Sequence, residues 1–148
     1  MITTLNVQIL NVKKEERKDF VPKRAFDTDA GLDLFIARDM TVKPGAKSMV
    51  GTNVAVEIPS GYAGFVVPRS SAGKVDIRLA NTIGIIDCAY RGEIKLLIRN
   101  SGDKDFTAKT GDRLCQLIIV PVALVAPVVV ERLSESPRGE GGFGHTGV

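Results

Sequence analysis

Tryptophan, histidine and cysteine are scarce in this sequence. The 148 residues include no tryptophan, one histidine and two cysteines. Cys88 and Cys115 are too few for a disulfide framework or a zinc site, and we expect reduced, structural thiols. The lone histidine, His145, lies in a glycine-rich terminal segment, where we do not expect a general base. The inventory therefore argues against zinc hydrolases and against hydrolases built on a serine or cysteine nucleophile with a histidine base.

A long apolar run is also absent. The longest one, residues 117–130, is interrupted by Pro121 and Pro127 and is shorter than the roughly 18 residues of a membrane helix. The N-terminal residues lack the basic stretch, apolar core and small-residue cleavage site of a secretory signal. We therefore expect no membrane span and an intracellular location, which is cytoplasmic or nuclear, or inside a host cell if the source is a virus.

The charged residues do not form blocks of one sign. The net charge is +3, with 25% charged and 44% hydrophobic residues, which is typical of a globular protein. Both signs are mixed in residues 13–18, KKEERK, so we expect a solvated surface there and no nucleic-acid binding. A small positive excess also suits a small anionic ligand. At this length we expect one folded domain.

Short strands separated by tight turns dominate the pattern. Apolar or alternating runs are bounded by turn-forming sequences such as KPG, PSG and TGD. The predicted strands are residues 4–12, 32–36, 47–50, 54–58, 64–67, 94–99, 106–108, 115–122 and 128–132. The best candidate for a helix, residues 71–75, is very short. This pattern predicts an all-β fold of the sandwich, jelly-roll or barrel type.

Residues 81–93, NTIGIIDCAYRGE, contain one aspartate among aliphatic residues. Asp87 lies between the run GII and the turn YRGE, so we expect its carboxylate to be buried in a hairpin. One explanation is that it accepts hydrogen bonds from its own turn, as Asp commonly does. The other is that it is a general base or a metal-linked group whose surroundings are tuned for chemistry.

Residues 68–74, PRSSAGK, follow a strand and carry a cation, two hydroxyls and several small residues. Arg69 offers paired hydrogen bonds to a phosphate, and backbone amides around Ser70 and Ser71 could converge on phosphate oxygens. The alternative is an ordinary turn in which a serine starts a short helix. The segment is therefore a candidate phosphate site.

Two polar residues stand in strand-like runs. Asp33, in AGLDL, is unusual because Asp is disfavoured in strands. Its carboxylate either faces solvent or points toward a site, where magnesium held through water is one option. Gln116, in GDRLCQLI, has apolar neighbours, and a buried amide must satisfy both of its ends. It is either a core-edge residue bonded to backbone or part of a site.

Residues 138–148, RGEGGFGHTGV, contain five glycines, which makes them costly to order. We expect a flexible segment, which is either a frayed terminus or a lid. As a lid, Arg138 and Phe143 would fold over a flat, anionic ligand. The predicted organisation is a β domain of residues 1–137 followed by a flexible C-terminal lid of residues 138–148.

Five segments in this order resemble the five motifs of the trimeric deoxyuridine triphosphatase (dUTPase) family. They are AGLDL, PRSSAGK, NTIGIIDCAYRGE, GDRLCQLI and RGEGGFGHTG, and they span residues 30–147. The resemblance implies a jelly-roll-like homotrimer with three active sites at subunit interfaces. It also implies hydrolysis of dUTP to dUMP and pyrophosphate, with Mg²⁺ bound to the triphosphate. Such a reaction clears dUTP from the nucleotide pool and supplies dUMP for thymidylate synthesis.

The resemblance also implies roles for individual residues. Asp87 matches the base that activates water for attack on the α-phosphorus. Tyr90 matches the ring that packs under the deoxyribose and excludes a 2′-hydroxyl, and Asp33 matches a residue associated with the metal through water. The other substrate-binding positions are Asn81, Gly84, Ile85 and Ile86 for uracil, Arg69, Ser70 and Ser71 of a neighbouring subunit and Gln116 for the phosphates, and Arg138, Phe143 and Gly144 in the tail.

The sequence departs from the family pattern at four positions. Ser71 and Ile83 stand where Gly and Pro are common, and Cys115 and His145 stand where Ala and Ser are common. Ser71 and His145 bear on phosphate contacts, but none of the four changes removes a group that the chemistry requires. Two alternatives stay open: a dCTP deaminase-like enzyme, which would be expected to need a Glu acting on the base, and a non-catalytic nucleotide-binding regulatory protein on the same fold.

Overall fold

The computed structural model describes residues 4–142, and most of its regular structure is strand. Eleven strands and two 3-10 helices form in this part of the chain. The strands are β1 Asn6–Ile9, β2 Leu32–Phe35, β3 Met40–Val42, β4 Lys47–Gly51, β5 Val54–Glu57, β6 Tyr62–Pro68, β7 Ile77–Leu79, β8 Gly84–Ile86, β9 Lys95–Asn100, β10 Phe106–Ala108 and β11 Arg113–Pro121, and the helices are Lys14–Asp19 and Ser70–Val75.

The strands pair antiparallel in four small sheets. The largest sheet has the strand order β2-β11-β6-β8, and a second has the order β4-β9-β7. The other two are two-stranded sheets, β1-β5 and β10-β3. Within residues 4–142 no sheet closes on itself as a barrel. The predicted all-β, jelly-roll-like fold with a very short helix is confirmed.

The core lies between the sheets because the strands alternate inward and outward side chains. In β9, Leu96 and Ile98 are fully buried while Lys95 and Arg99 are exposed. This period of two is what places one face of a strand against a core. Cys115 is also buried, and burial raises the pKa of its thiol to about 12. Both cysteines are free thiols, as predicted.

The predicted strand at residues 128–132 was wrong. Residues 123–140 are all exposed, and the last strand of the described chain, β11, ends at Pro121. Val129 is 99% exposed, and Val125, Val128 and Leu133 are each about four-fifths exposed. The composition is strand-like, but a strand needs a paired neighbour, and no backbone pairing with another described segment occurs here. We call residues 123–137 the C-terminal arm.

The other differences from the prediction concern short elements. The three-residue strands β3, β7 and β8 were not among the predicted strands, although β10, of the same length, was. The exposed 3-10 helix Lys14–Asp19 was not predicted either, although its residues do form the expected solvated surface. The predicted helix at 71–75 is confirmed as a 3-10 helix that ends at Asp76 in the left-handed region. No helix within residues 4–142 is long and apolar enough to cross a bilayer.

Candidate active site

Most of the predicted site residues within residues 4–142 line one of two separate clefts, and Ser71 and Arg138 line neither. The arginine cleft, of about 220 Å³, is lined by Ala25, Asp29, Ala30, Gly31, Asp33, Arg69, Ser70 and Gln116. The hairpin cleft, of about 320 Å³, is lined by Met49, Asn81, Gly84, Ile85, Ile86, Asp87, Tyr90, Glu93, Ile94 and Lys95. Of the described lining residues, none is shared between the two clefts. The structure thus brings the predicted residues together in two groups.

Asp33 organises the arginine cleft. Its carboxylate is buried, at 7% exposure, between two guanidinium groups. Arg69 Nε lies 2.8 Å from Oδ1, and Arg113 Nη1 lies 3.0 Å from Oδ2. The sheet order explains the meeting: β11 lies between β2 and β6, so the strand carrying Asp33 and the end of the strand before Arg69 both flank Arg113. The cluster of Asp33, Arg69 and Arg113 holds one negative and two positive charges, and Asp29, which also lines the cleft, adds a second negative charge.

Both oxygens of Asp33 are engaged by arginine, which bears on its predicted metal role. Within residues 4–142, no group of three or more His, Cys, Asp or Glu side chains could hold a cation. Direct coordination by Asp33 would have to break an ion pair. The chain's own donors therefore fit Mg²⁺ only as an ion held mainly by phosphate oxygens and water, which is how proteins commonly bind it. The water-linked role of Asp33 stays a prediction.

Gln116 lies beside the ion-paired cluster. It is opposite Asp33 on β2 and Val67 on β6, and it is half-buried. Its Nε2 donates a long hydrogen bond of 3.4 Å to the carbonyl oxygen of Pro68. A Cβ at Gly31 would lie 2.1 Å from Oε1 of Gln116, so only glycine leaves room for the amide in this position. Gln116 is thus a core-edge residue bonded to backbone, and its amide also lines the cleft.

Ser70 and Ser71 begin the second 3-10 helix and are both exposed. Neither hydroxyl caps this helix, since its N-cap is Arg69 without a side-chain cap bond. Ser70 lines the arginine cleft, whereas Ser71 is not among its lining residues. A serine thus begins the short helix, as in the ordinary-turn alternative, but without capping it.

We expect Asp33→Ala to destabilise the fold strongly. The change leaves Arg69 and Arg113 side by side without a counter-charge, and breaking a buried ion pair in this way costs about 3 kcal/mol. Thermal unfolding at matched protein concentration should show Tm lowered by roughly 10 °C. Glu135→Ala is the matched control, because it breaks an ion pair with Arg132 that is more than four-fifths exposed. An equal change in Tm for both variants would contradict the organising role of Asp33.

The second cleft surrounds the turn that carries Asp87. The hairpin predicted here is absent, because the flanking strands β8 and β9 do not pair with each other. Contrary to the expectation of a buried carboxylate, Asp87 is exposed. The reason is that β8 pairs only with β6, at the edge of the four-stranded sheet, and Asp87 follows its last residue. The backbone carbonyl of Asp87 accepts a hydrogen bond of 3.0 Å from the amide of Tyr90, which closes a turn. The carboxylate accepts no hydrogen bond from the described residues, so it is available to a ligand or a water molecule.

Tyr90 presents its ring beside Asp87. The side chain is 44% exposed, and its hydroxyl donates a hydrogen bond of 3.0 Å to the carbonyl oxygen of Glu93. The hydroxyl is thus directed back into the turn, and the ring forms part of the cleft wall. An aromatic ring held in this manner can pack against a planar or ring-shaped ligand.

The wall opposite Tyr90 is backbone. Gly84 pairs with Val66, and a Cβ on Gly84 would lie 3.2 Å from Cβ of Val66. Thr82 has a left-handed backbone with φ 65°, and the carbonyl oxygen of Asn81 accepts a hydrogen bond of 2.7 Å from Ile83. These features turn the chain sharply, so that the Asn81 side chain and the edge of β8 face one space. The unpaired edge of β8 leaves backbone donors and acceptors for a ligand.

Asp87 and Arg69 are far apart along β6. Ile86, the residue before Asp87, pairs with Gly64. Arg69 is five residues further along the chain in extended conformation, which corresponds to about 16 Å. A group bound at Asp87 is therefore not in contact with Arg69 of the same chain.

The tail residues are only partly described. Arg138 is exposed, and its Nε donates a hydrogen bond of 2.8 Å to the carbonyl oxygen of Gly141. Phe143, Gly144 and His145 lie outside the described residues. Arg138 lines neither of the two clefts in this single chain.

Comparison with known proteins decides the family. The dUTPase family model matches residues 18–147. The chain belongs to the dUTPase family. A deoxyuridine 5′-triphosphate nucleotidohydrolase of Syntrophotalea carbinolica is 45% identical over 141 residues, which cover 93% of this chain and 96% of the relative. The all-β fold and the hydrolase class predicted from the motifs are those of this family.

Solved dUTPase structures agree with the fold of this chain. The dUTPase of Staphylococcus bacteriophage 80alpha, solved with dUpNHpp, superposes with a TM-score of 0.89 at 30% identity, covering 99% of this chain and all of the phage chain. A variant of the phage phi11 dUTPase of S. aureus has a TM-score of 0.78 at 27% identity, covering 88% of this chain and 98% of that one. That phi11 structure is described as showing the coordination of a structural Mg(II) ion.

Sequence reasoning missed two residues of the arginine cleft. Arg113 stands in the segment GDRLCQLI, from which only Gln116 was selected, and Gly31 precedes Asp33. A charged residue just before the predicted strand at 115–122, in the same segment as Gln116, was a usable signal for Arg113. No signal in a single sequence indicates that Gly31 leaves space for a glutamine 85 positions later.

Proposed function

We propose that this dUTPase hydrolyses dUTP to dUMP and pyrophosphate, with Asp87 as the base that activates the attacking water. The proposal is based on the carboxylate of Asp87, which is exposed and accepts no hydrogen bond from residues 4–142. It lies beside the ring of Tyr90 in the hairpin cleft. A general base must lie within hydrogen-bond reach of the water that it deprotonates. The carboxylate is therefore placed to accept a proton from a water molecule positioned against the α-phosphorus.

The phosphate groups would be held by an arginine cleft. Phosphoryl transfer depends mainly on positioning and on neutralisation of the phosphate charge. Arg69, oriented by Asp33, presents a guanidinium to the cleft, and Ser70 and Gln116 supply neutral hydrogen-bonding groups. Ser71 follows on the exposed start of the helix. Mg²⁺ bound to the triphosphate would add charge neutralisation.

We propose that one active site combines the hairpin cleft of one copy with the arginine cleft of another. The three phosphates of dUTP are contiguous, so a base that acts at the α-phosphorus requires the phosphate-binding arginine nearby. The separation of about 16 Å along β6 within one chain does not provide this. The exposed apolar side chains of the C-terminal arm are a second argument for assembly, because a lone chain leaves them in water. The family resemblance implies that the assembly is a homotrimer.

Substrate selection would come from the hairpin cleft. Uracil would form hydrogen bonds with the backbone of Gly84, Ile85 and Ile86 and with the side-chain amide of Asn81. Cytosine would leave the donors and acceptors of these groups unpaired. The ring of Tyr90 would pack under the deoxyribose and leave no space for a 2′-hydroxyl. The tail of residues 138–148 would close over the substrate as a lid, with Arg138 on the γ-phosphate, Phe143 on uracil and Gly144 beside them. Excluding bulk water from a closed site strengthens these electrostatic contacts.

The test is release of pyrophosphate from a panel of nucleoside triphosphates with Mg²⁺. We expect rapid release from dUTP and far slower release from dTTP, dCTP and UTP. Equal turnover of dUTP and UTP would refute the sugar-reading role of Tyr90. Release of ammonia from dCTP would support the deaminase alternative, and tight binding of dUTP without turnover would support a regulatory protein.

A further inference from the structure

The turn between Asp87 and Glu93 is held by a side chain that faces away from the hairpin cleft. Arg91 Nη1 donates hydrogen bonds to the carbonyl oxygens of Cys88, at 2.7 Å, and Tyr90, at 3.0 Å. These two carbonyls belong to the residue that follows Asp87 and to the sugar-facing tyrosine. Arg91 is not among the residues that line the hairpin cleft. It lines a different cleft, together with Asn6 and Glu57. Its guanidinium therefore binds the turn from outside the hairpin cleft.

Arg91 is itself held in place by β5 and β1. Its Nη2 lies 3.2 Å from Oε1 of Glu57, the last residue of β5, and Asn6 Nδ2 donates to Oε2 of Glu57 at 3.0 Å. The hydrogen bond from Asn6 and the charge of Arg91 lower the pKa of Glu57, so the carboxylate is ionised at neutral pH. The connection thus runs from β1 through Glu57 and Arg91 to the backbone of the turn.

The far end of the turn is attached to the other end of β5. The amide of Asn53 donates a hydrogen bond of 2.9 Å to Oε1 of Glu93, and the amide of Ile94 donates one of 2.8 Å to the carbonyl oxygen of Val54. The carbonyl of Glu93 in turn accepts the hydroxyl of Tyr90. The two ends of β5 therefore anchor the two ends of the turn.

Gly92 completes the arrangement. A Cβ at this position would lie 2.4 Å from the hydroxyl oxygen of Tyr90, so any side chain would displace the ring. Gly92 thus leaves the space that the Tyr90 ring occupies. The ring is held by the bond from its hydroxyl to the carbonyl oxygen of Glu93, and the Tyr90 backbone is held by Arg91.

We propose that Arg91 is a positioning residue that, together with Glu57, sets the relative placement of Asp87 and Tyr90 for the hydrolysis of dUTP. The inference rests on the proposed function. Both side chains of the Arg91–Glu57 pair are about half exposed, at 53% and 54%, and such pairs contribute little to stability. We infer that the pair instead fixes the geometry of the turn. The planar guanidinium binds two carbonyls and a carboxylate together, which a lysine ammonium does not reproduce.

The test compares Arg91→Gln and Arg91→Lys with the wild type in dUTP turnover and in binding of dUpNHpp. We expect kcat to fall roughly 10- to 100-fold in both variants, since small misplacements of reacting groups have effects of this size. Affinity for dUpNHpp should change only a few-fold. The ratio of dUTP turnover to UTP turnover should fall. Lys109→Gln, which breaks the exposed pair with Asp39, is the matched control and should behave as wild type. Thermal unfolding should show all three variants folded.

The lysine variant separates positioning from charge. If Arg91→Lys keeps wild-type kcat and only the glutamine variant is impaired, Arg91 acts through its charge and the proposal is wrong. Wild-type kcat and wild-type sugar preference in Arg91→Gln would also overturn it. If the wild-type protein itself releases no pyrophosphate from dUTP, the proposed function fails instead.

A second readout does not depend on activity. The chain contains two tyrosines and no tryptophan, so in a Tyr62→Phe background Tyr90 is the sole source of intrinsic fluorescence above that of phenylalanine. Adding Arg91→Gln should lower the anisotropy of Tyr90 and raise its quenching by acrylamide, because the ring becomes more mobile. Adding Lys109→Gln should change neither. Unchanged anisotropy and quenching of Tyr90 in the Arg91→Gln variant would overturn the proposed positioning role of Arg91.

Discussion

Replacing Asp87 by Asn is expected to lower dUTP turnover by roughly 10²- to 10⁴-fold while the affinity for dUpNHpp is kept. The amide has nearly the shape of the carboxylate but cannot accept a proton from water, and general-base catalysis contributes an effect of this size. The carboxylate of Asp87 accepts no hydrogen bond from the described residues and is exposed, so replacing it leaves no buried group unpaired. The variant should therefore fold normally and bind substrate.

Steady-state pyrophosphate release and equilibrium binding of dUpNHpp together check this prediction. Asp103→Asn is the matched control, because Asp103 is an exposed aspartate in the loop between β9 and β10, away from both clefts. It should retain wild-type turnover. Less than a ten-fold loss in Asp87→Asn would place the base elsewhere, whereas loss of dUpNHpp binding would assign Asp87 to binding.

Deletion of residues 138–148 is expected to reduce dUTP turnover by about two orders of magnitude or more without unfolding the protein. The described strands end at Pro121, and residues 138–142 contribute no strand. What the deletion removes is the proposed lid, with the charge of Arg138, and closure of such segments completes many active sites. Circular dichroism and size-exclusion chromatography should match the full-length protein, while pyrophosphate release falls.

A pair of substitutions separates the lid from a general effect of charge in the segment. Arg138→Gln should reproduce much of the loss, whereas Arg132→Gln, at an exposed arginine that pairs with Glu135, should have little effect. Unfolding or dissociation of the truncated protein would show that the tail is structural. Full activity of the truncated protein would rule out a lid.

The sequence was informative about the residues of the site and less so about their surroundings. Asp87, Tyr90 and Asn81 share one cleft, and Asp33, Arg69 and Gln116 share another, as the grouping into motifs suggests. The predicted burial of Asp87 was wrong because its aliphatic neighbours belong to an edge strand. Burial depends on how many neighbours a strand has in the sheet, and local composition does not report that.

The pairing of Asp33 with Arg113 shows why a site cannot be completed from one sequence. The two residues are 80 positions apart and meet because β2 pairs with β11 in a particular register. A shift of one residue would turn either side chain to the opposite face. Register is decided by the packing of a whole sheet, so neither motif alone contains the information.

The amino-acid sequence by itself determined the all-β class, the order of the chemically important segments and the residue types available for phosphate and uracil recognition. These properties depend on local periodicity, turn-forming residues and side-chain chemistry, all of which can be read from short segments of the sequence. The tertiary structure alone decided the edge position of β8, the two arginines on Asp33 and the separation of the clefts. It also revealed the hydrogen bond and the ion pair that connect the two ends of β5 to the turn after Asp87. Each of these depends on contacts between distant segments, which form only when sheets pair and pack as a whole.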